Sequence, residues 1–510
     1  MNISPAPTLL LHASDPLAVA LRDLRAEEDT GQSGVCTIQE IHRGHKVALR
    51  PIAAGEPVCK FGQVIGSASQ AILPGEHIHT HNLVFIPSPA SHQIGQGSQV
   101  LADLPIVELD TFLGILRPDG LTATRNYIGV LTTVNCSATV ARLITDQFHS
   151  PQALAAYPNV DGVVALTHKS DCTAKETDES MNLLRRTLGG FAHHPNFAAV
   201  LIVGLGCEGN QISLLLEQNG MAASDRLHSF TIQDAGGTNA AVRRGVDWIQ
   251  SILPSANAIT RKPLPISYLR LGLQCGGSDS FSAITANPAL GVASDILVSK
   301  GGTSILSETP EIYGAENLLL NRVVDQATGQ QLLDLLDWWQ CYVAQHHETM
   351  DSNPTPGNKT GGITTILEKS LGAIAKGGRS TLQAVYHYAE QVRKSGFVFM
   401  DTPGFDPVSV TGQVAGGANL ICFTTGRGSC FGCKPVPSLK LASNTPLYER
   451  MLDDMDINCG QVADGAASIN EMGIQIYNIL IEIASGRKTK SERLGYGEDE
   501  FAPWHFGATL

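Results

Sequence analysis

The stretch AAVLIVGLGCEGN (residues 198–210) decides the fold class, because it has the pattern of a buried strand that breaks abruptly into glycine, cysteine and an acid. The stretch YLRLGLQCGGSDS (268–280) repeats this pattern with related side chains. In a parallel α/β sheet such a break marks the carboxyl end of a strand, where ligand sites are built. Two such ends predict an enzyme in which several strands converge on one polar pocket.

Composition indicates the class of protein and its partners. The 510 residues are 43% hydrophobic and 16% charged, which is ordinary for a globular protein of two to four domains. A net charge of −13 argues against nucleic acid and anionic membrane as main partners. No stretch approaches the roughly 18 apolar residues of a membrane span, and the eleven cysteines lack the spacing of a disulfide framework. We therefore expect a cytoplasmic protein with reduced cysteines.

The sequence pattern changes along the chain and predicts its division. Short apolar runs separated by glycine turns predict a β-rich domain over 1–88. A Ser-, Gly- and Gln-rich stretch predicts a linker over 89–112. Apolar runs that alternate with amphipathic stretches predict an α/β domain over 113–262 and a C-terminal α/β catalytic lobe over 263–510. The predicted fold class is α/β, with mostly parallel lobes after a small β-rich domain.

Residues 77–81 place three imidazoles at a spacing of two. On an extended strand alternate side chains share a face, so His77, His79 and His81 can converge on one point. Neutral imidazoles are good ligands for divalent first-row metals. His45, on a turn of similar composition, could add a ligand or contact a substrate carboxylate. A solvated edge strand with incidental histidines is the alternative interpretation.

Residues 204–209 fit the pattern G-x-G-x-x-G after a strand, and Asp234 closes the next predicted strand. This arrangement favours an NAD-linked dehydrogenase as the alternative function. Glu208, however, would repel a pyrophosphate at the start of the following helix. Two predicted strands also precede the motif, which normally opens its unit. A glycine-rich turn in an active site is the other interpretation.

The cysteines leave several possibilities open. Four of them each follow a predicted strand and could lie together as zinc or iron–sulfur ligands, or be small packed side chains: Cys136, Cys172, Cys207 and Cys275. The lone Cys430-x-x-Cys433 pair is weak evidence for a zinc or redox site.

Charged side chains follow other predicted strands. Arg427, after the strand 419–425, suits carboxylate binding. Glu308 and Glu311 follow the strand that contains TSILS, although a solvated loop would also explain them. Lys359, in a loop rich in turn residues, is a candidate for pairing with a substrate anion or for proton transfer.

Eight motifs spread along the chain carry a resemblance to a known family. They are RGHKVAL (43–49), GEHIHTHN (75–82), YPNVDGV (157–163), GLGCE (204–208), CGGSD (275–279), ITANP (284–288), PTPGNK (354–359) and TTGRG (424–428). Through them the chain resembles the altronate/galactarate dehydratases over nearly its whole length. The resemblance implies that the N-terminal domain is an SAF-type β-clip.

The resemblance also implies an activity. It is the dehydration of a sugar acid, most simply altronate or a related aldonate or aldarate such as galactarate, to its 2-keto-3-deoxy acid. A divalent metal, iron(II) or manganese(II), assists the reaction, and the protein is expected to be a homodimer. The triple histidine favours an aldonate, whereas the Cys430–Cys433 pair differs from the altronate and galactarate examples. The alternative is an NAD-linked dehydrogenase that acts on a sugar acid.

The predicted site residues fall into three sets. The metal ligands are predicted to be His77, His79, His81 and Glu208. The catalytic residues are predicted to be His45, Glu308 and Lys359, with His45 or Glu308 as the base. The substrate contacts are predicted to be Asp279, Asn287, Asn358 and Arg427.

Overall fold

The N-terminal part of the chain forms two small antiparallel sheets, because its apolar runs are short and are separated by tight turns. The computed structural model describes residues 6–32, 34–87, 92–95, 103–150, 152–170 and 179–506. The strands of this part are β1 (Thr8–Leu9), β2 (Leu17–Ala20), β3 (Lys46–Ala48), β4 (Pro57–Lys60), β5 (Gln63–Ala68), β6 (His77–Ile78) and β7 (Leu83–Val84).

The two sheets have the strand orders β1-β2-β3-β6 and β4-β5-β7, and they share one buried cluster that contains Leu17, Ile65 and Ile78. One turn requires glycine at Gly75, where φ is +81° and a Cβ would lie 2.0 Å from the Cys36 carbonyl oxygen.

The middle part is a parallel sheet covered by helices. After β8 (Thr111–Leu116) and β9 (Thr122–Ala123) come β10 (Tyr127–Thr132), α1 (Ala138–Thr145), β11 (Gly162–Leu166), α2 (Glu179–Ala192), β12 (Phe197–Gly204), α3 (Ile212–Gln218), β13 (Leu227–Thr231) and α4 (Thr238–Asn257). The strand order is β11-β10-β12-β13, with every pair parallel. All of β12 is buried, which explains its continuous apolar sequence. The next strand, β14 (Lys262–Pro265), returns to pair antiparallel with β8.

The C-terminal part is built on a seven-stranded parallel sheet. Its strands are β15 (Arg270–Cys275), β16 (Thr303–Leu306), β17 (Leu382–Tyr386), β18 (Gly396–Met400), β19 (Leu420–Thr425), β20 (Ser438–Ala442) and β21 (Ile457–Asn458). Its helices are α5 (Ala286–Ser299), α6 (Asn317–Leu320), α7 (Gln326–Gln345), α8 (Pro356–Thr360), α9 (Ile366–Ala375), α10 (Asp406–Ala415), α11 (Thr445–Arg450), α12 (Ile469–Ala484) and α13 (Lys490–Leu494).

The strand order β17-β18-β16-β15-β19-β20-β21 makes β15 and β16 neighbours near the centre of this sheet. Cys275 is the last residue of β15, and Glu308 follows the end of β16 by two residues. Their side chains therefore start from the same edge of the sheet, where parallel α/β proteins build their sites. The predicted fold class, parallel α/β lobes after a small β-rich domain, is confirmed.

The N-terminal domain packs directly on the C-terminal sheet region. The Thr365 hydroxyl donates to the Ile65 carbonyl at 2.6 Å, and Leu371 of α9 packs against the N-terminal core. At Gly362, a Cβ would lie 2.4 Å from the Gly44 carbonyl oxygen. We call the contact between residues 43–82 and residues 360–372 the domain seam. No described helix combines the length and apolar character that crossing a bilayer requires.

Candidate active site

Three imidazoles meet at the domain seam. His77 begins β6, which pairs with β3 so that Val47 lies opposite His77, and His45 immediately precedes β3. His45 Nδ1 lies 2.9 Å from His77 Nε2, and the ring centres of His45 and His79 are 4.8 Å apart. One ring nitrogen from each of these three residues lies within 4.8 Å of the others. His81 is exposed, and its ring centre lies 5.4 Å from that of His77.

Burial keeps these rings neutral. It lowers the pKa of His77 to about 3 and that of His79 to about 4, with the neighbouring charged or titratable groups adding to the effect. Burial also lowers the pKa of His45. The neutral ring is the form that binds a metal. His79 Nδ1 is buried without a hydrogen-bond partner among the described residues, an arrangement that a bound cation would satisfy.

The proton on His45 is fixed by its partner across the seam. His45 Nε2 lies 3.1 Å from the Thr360 carbonyl oxygen, which can only accept. Nε2 therefore carries the proton, and the Nδ1 lone pair is directed toward His77. A metal-binding histidine commonly donates its other ring N–H to a carbonyl in this way. The three histidines fit a divalent first-row metal.

Next to His45, Lys46 enters a buried ion cluster that joins the two sides of the seam. Lys46 Nζ lies 2.9 Å from Glu368 Oε2, and Lys60 Nζ lies 2.7 Å from Glu368 Oε1. Thr364 donates its N–H and its hydroxyl to Glu368 Oε2 at 2.9 and 2.7 Å. Burial alone would raise the pKa of Glu368, but the two ammonium groups hold it well below its usual value. The cluster therefore anchors the strand that carries His45.

A buried cavity of about 10 Å³ lies between this ion cluster and a second group of charged residues. It is about the size of one water molecule. Lys60 and Glu368 line it on one side, and Cys275, Glu311 and Lys369 line it on the other. The cavity thus links the N-terminal domain to the carboxyl ends of β15 and β16.

We call the second group the thiol–carboxylate cluster; it consists of Cys275, Glu308, Glu311, Lys369 and Lys376. Cys275 Sγ lies 3.6 Å from Glu308 Oε2 and 3.5 Å from Glu311 Oε2. Lys376 Nζ lies 2.8 Å from Cys275 Sγ and 3.3 Å from Glu308 Oε2. Lys369 Nζ lies 2.8 Å from Glu311 Oε1. The thiol and two carboxyls are close enough to share a cation, but the two lysines already bring two positive charges to them.

Glu308 has three features that are typical of a functional residue. Its φ of +71° is a left-handed conformation that is strained for a residue with a side chain. Its N–H is held by the Thr402 hydroxyl at 2.9 Å, whereas its Oε1 is buried without a partner among the described residues. Burial, and then the charge of Glu311, raises the pKa of Glu308 to about 8. The carboxyl therefore keeps its proton at neutral pH.

Asp279, predicted to contact substrate, is buried and engaged in holding loops together. Its Oδ1 accepts hydrogen bonds from the Ser282 N–H and the Ser443 hydroxyl, both at 2.8 Å. Its Oδ2 accepts from Asn444 Nδ2 at 3.0 Å. Gly426 lies against the same carboxylate, because a Cβ there would be 2.2 Å from Asp279 Cγ. Asp279 thus positions the loop that carries the predicted arginine.

The two predicted asparagines are also buried. Asn358 Nδ2 donates to the Ser278 carbonyl at 2.8 Å, which ties α8 to the loop after β15. Asn287 Nδ2 donates to the Gly372 carbonyl at 2.9 Å. Asn287 also lines the cavity, and its Oδ1 has no partner within the described part of the chain. Of the two, Asn287 is the one with an atom available to a ligand.

Arg427 and Lys359 offer positive charge at the protein surface near the seam. Arg427 is exposed after β19, and its loop is fixed by two N–H groups, of Gly426 and Arg427, that donate to the Gly277 carbonyl at 3.1 and 3.0 Å. Lys359 is half-buried on α8, beside Thr360. In the described ranges neither side chain makes a hydrogen bond or an ion pair. Both cations are therefore available to an anionic ligand.

Glu208 lies in the glycine-rich turn and is bonded within it. Its Oε1 accepts from the Thr133 hydroxyl at 2.6 Å and from the Leu205 N–H at 3.0 Å, and its Oε2 accepts from the Gly206 N–H at 2.6 Å. The three residues at the seam whose ligand atoms are close enough to share a metal ion are His45, His77 and His79. Glu208 is not among them. The turn's N–H groups, which a dinucleotide phosphate would need, are occupied by this carboxylate.

The predicted group of four cysteines is divided between two sheets. Cys136 and Cys207 are exposed and follow strands of the middle sheet, whereas Cys275 is buried in the C-terminal sheet. Cys172 lies outside the described residues. Cys430 is exposed and Cys433 is buried.

Sequence patterns did not indicate four of the charged residues that connect these groups: Lys60, Glu368, Lys369 and Lys376. Lys46 lies beside His45 in a motif already singled out, and that adjacency was a usable signal. The other four lie on ordinary strand or helix stretches, where charged side chains are normally solvated. Lys60 and Glu368 pair with each other across the domain seam, whereas Lys369 and Lys376 pair with residues of the C-terminal part.

Family models match the chain in three consecutive parts. Residues 6–85 match the altronate/galactarate dehydratase SAF domain, residues 114–257 the second domain of D-galactarate dehydratase/altronate hydrolase, and residues 266–509 the C-terminal D-galactarate/altronate dehydratase model.

Curated relatives match over most of the chain. Altronate dehydratase of Escherichia coli (strain K12) is 35% identical over 503 residues, which cover 98% of this chain and 99% of the relative. Galactarate dehydratase (L-threo-forming) of the same organism is 36% identical over 95% of this chain and 94% of the relative. The beta subunit of (2R)-sulfolactate sulfo-lyase of Chromohalobacter salexigens is 31% identical over 76% of this chain and 96% of the relative.

An SAF domain followed by these two α/β parts defines a class of hydro-lyases. The chain belongs to the altronate/galactarate dehydratase family, which confirms the resemblance seen in the motifs.

Proposed function

We propose that this protein dehydrates a sugar acid such as altronate or galactarate to the 2-keto-3-deoxy acid and water, with iron(II) or manganese(II) at the domain seam. The substrate class is supported by the names of the E. coli relatives, which are altronate and galactarate dehydratases. The metal is supported by one observation above all. His45, His77 and His79 present neutral rings within 4.8 Å of one another, and His79 Nδ1 is buried and unpaired among the described residues.

The proposed ligands are His45, His77 and His79. His81 is a further candidate on the exposed side of the group, and Glu208 would first have to give up the hydrogen bonds of its own turn. A divalent cation would draw electron density from the substrate's carboxylate and hydroxyl, which eases loss of the C2 proton and of the C3 oxygen.

The chain's own residues supply the remaining chemistry. Arg427 and Lys359 carry unpaired positive charge that can hold the substrate carboxylate. His45, as a ligand, would not be free to act as a base. Glu308 keeps its proton near neutral pH, which suits donation to the departing C3 oxygen. Lys359 stays a candidate for proton transfer at C2, and Asn287 Oδ1 for a hydroxyl contact.

The NAD-linked dehydrogenase has less support, because Glu208 occupies the N–H groups of the turn that would bind the dinucleotide. We also propose, from composition, that the enzyme is cytoplasmic and has no nucleic-acid or membrane partners. That it is a homodimer is a separate proposal. The division into residues 1–88, 89–112, 113–262 and 263–510 is likewise our proposal.

A substrate panel tests this function. Chelator-treated enzyme is incubated with aldonates and aldarates, with iron(II), with manganese(II) or without metal, and 2-keto-3-deoxy acid is detected with semicarbazide. We expect product from at least one acid only when metal is restored. Absence of product from every acid with both metals, or reduction of NAD in its place, would overturn the proposal.

A further inference from the structure

Cys275 connects the two carboxyl groups of the thiol–carboxylate cluster. Its thiol lies 3.6 Å from Glu308 Oε2 and 3.5 Å from Glu311 Oε2, which are distances at which a thiol can donate to either oxygen. Cys275 and Glu311 line the water-sized cavity, whereas Glu308 does not. A proton held by Glu308 can therefore reach the cavity only through a neighbouring group.

We propose that Cys275 relays a proton between Glu308 and the cavity during the dehydration proposed above. The inference rests on that function and adds a residue to it. Cys275 does not contact the substrate itself. It acts on the reaction only through Glu308 and Glu311, and we therefore call it a positioning residue. The group that receives the proton is the oxygen that leaves C3 of the sugar acid.

The relay conserves atoms and charge. Glu308 gives its carboxyl proton to Cys275 Sγ while the thiol's own proton passes to the Glu311 carboxylate. Glu311, which lines the water-sized cavity, then gives the proton to a water molecule held there. That water passes a proton to the departing oxygen as the C3–O bond breaks, and a second water molecule forms. The proton removed from C2 balances the proton delivered, so the reaction needs no oxidant and no further reactant. Sulfur carries no net charge before or after the transfer.

The surroundings of the cluster set where each proton lies before the transfer. Burial raises the pKa of the Cys275 thiol, which keeps it as S–H, and Lys376 is placed to donate to the sulfur at 2.8 Å. Burial alone would raise the pKa of Glu311, but Lys369 and then Lys376 lower it, so Glu311 is ionised and ready to accept. Glu308 is protonated and Glu311 is not, so Glu311 can accept the proton but holds it more weakly than Glu308 does. Capture of the proton by the departing oxygen draws the transfer forward.

Asp406 is a further acid that faces the cluster, and burial followed by the charge of Glu311 raises its pKa to about 6. Near neutral pH the ionised Asp406 and Glu311 balance Lys369 and Lys376. The cluster and Asp406 together therefore have a net charge of zero when Glu308 is protonated, which agrees with the relay's starting state. It also leaves no excess negative charge that would call for a cation at Cys275.

The experiment compares Cys275→Ala, Cys275→Ser and the matched control Cys422→Ala. Cys422 is a fully buried thiol on β19, the strand next to β15, and it makes no polar contact in the described part of the chain. The full-length metal-loaded proteins are assayed for kcat, KM and the solvent deuterium isotope effect, on the acid that the wild type dehydrates. Circular dichroism checks that each variant is folded.

We expect Cys275→Ala to lower kcat by about 100-fold or more with little change in KM, the usual size of a lost proton-transfer step. Cys275→Ser, whose hydroxyl can also donate and accept, should recover most of this loss and change the isotope effect. Cys422→Ala should stay near the wild type. A folded Cys275→Ala with kcat within a few-fold of the wild type would overturn the relay and leave the dehydratase intact. So would equal losses in Cys275→Ala and Cys422→Ala. If the wild type dehydrates no acid, the proposed function itself fails and the relay with it.

Discussion

Replacing Glu368 by glutamine removes the one negative charge of the ion cluster at the domain seam. Lys46 Nζ and Lys60 Nζ lie 2.9 and 2.7 Å from its carboxylate, and all three side chains are buried. Breaking a buried pair costs about 3–5 kcal/mol, because the remaining charge stays out of water. Burial lowers the pKa of Lys46 to about 8, so this ammonium group can lose its proton at a small cost in free energy. We therefore expect the cost of one broken pair, about 3–5 kcal/mol in the free energy of unfolding.

Equilibrium unfolding in urea, followed by circular dichroism, measures this loss. The matched control is Glu482→Gln, which removes a pair with Arg487 on the exposed face of α12. An exposed pair contributes less than about 1 kcal/mol. A loss for Glu368→Gln no larger than that of the control would refute the reasoning.

The pH dependence of the same difference is a second check. The folded pKa of Glu368 is depressed, so its stabilising contribution is complete above the unfolded value of about 4.5 and is lost as the pH falls below it. The difference between wild type and Glu368→Gln should therefore shrink in acid. A difference that stayed constant down to low pH would contradict the ion-pair explanation.

Three further predictions concern the site. If Glu308 donates a proton, kcat should fall as the pH rises through about 8, and Glu308→Gln should abolish this limb of the pH–rate profile; a profile unchanged in the variant would contradict the role. Gly426→Ala should destabilise the protein by about 1–3 kcal/mol in urea unfolding, because its Cβ would meet Asp279 Cγ at 2.2 Å. Gly357→Ala, whose nearest contact would be 3.6 Å away, should be neutral, and equal effects would contradict the packing account. Arg427→Ala should raise KM about tenfold or more by removing a charged contact to the carboxylate, whereas Arg427→Lys should recover part of the affinity; an unchanged KM would exclude the contact.

The fold class could be predicted because central strands of the two parallel sheets are buried on both faces and have nearly continuous apolar sequences. AAVLIVG and LRLGLQC become β12 and β15, and their abrupt ends coincide with the carboxyl edges of two sheets. A continuous apolar run in the sequence becomes a strand in the structure, because burial of that run is what stabilises the strand.

The composition of the candidate site could be predicted only in part. The spacing of His77 and His79 indicated a shared face, but their pairing with His45 depends on the register of β3 and β6, which no local pattern encodes. The partners of Cys275 are Lys376, just after α9, and Glu308 and Glu311, after β16, all far away in sequence.

Burial of Lys46, Lys60 and Glu368 could not be predicted, because the charged partner of each lies in the other domain. Lysine and glutamate are almost always exposed unless they are paired. A single sequence contains no signal for which distant residue supplies the pair. The structure adds what the motifs could not, namely two charged clusters and a cavity between them.

The central claim is that the three histidines at the domain seam bind a metal ion. The most direct test is to monitor manganese(II) binding to chelator-treated protein by electron paramagnetic resonance. We predict that the wild type binds manganese(II) at the domain seam and that His79→Ala loses this binding together with turnover. His149→Ala, which removes a half-exposed imidazole of the middle domain, should bind and turn over normally. Manganese(II) binding and dehydration that survive unchanged in His79→Ala would contradict the account.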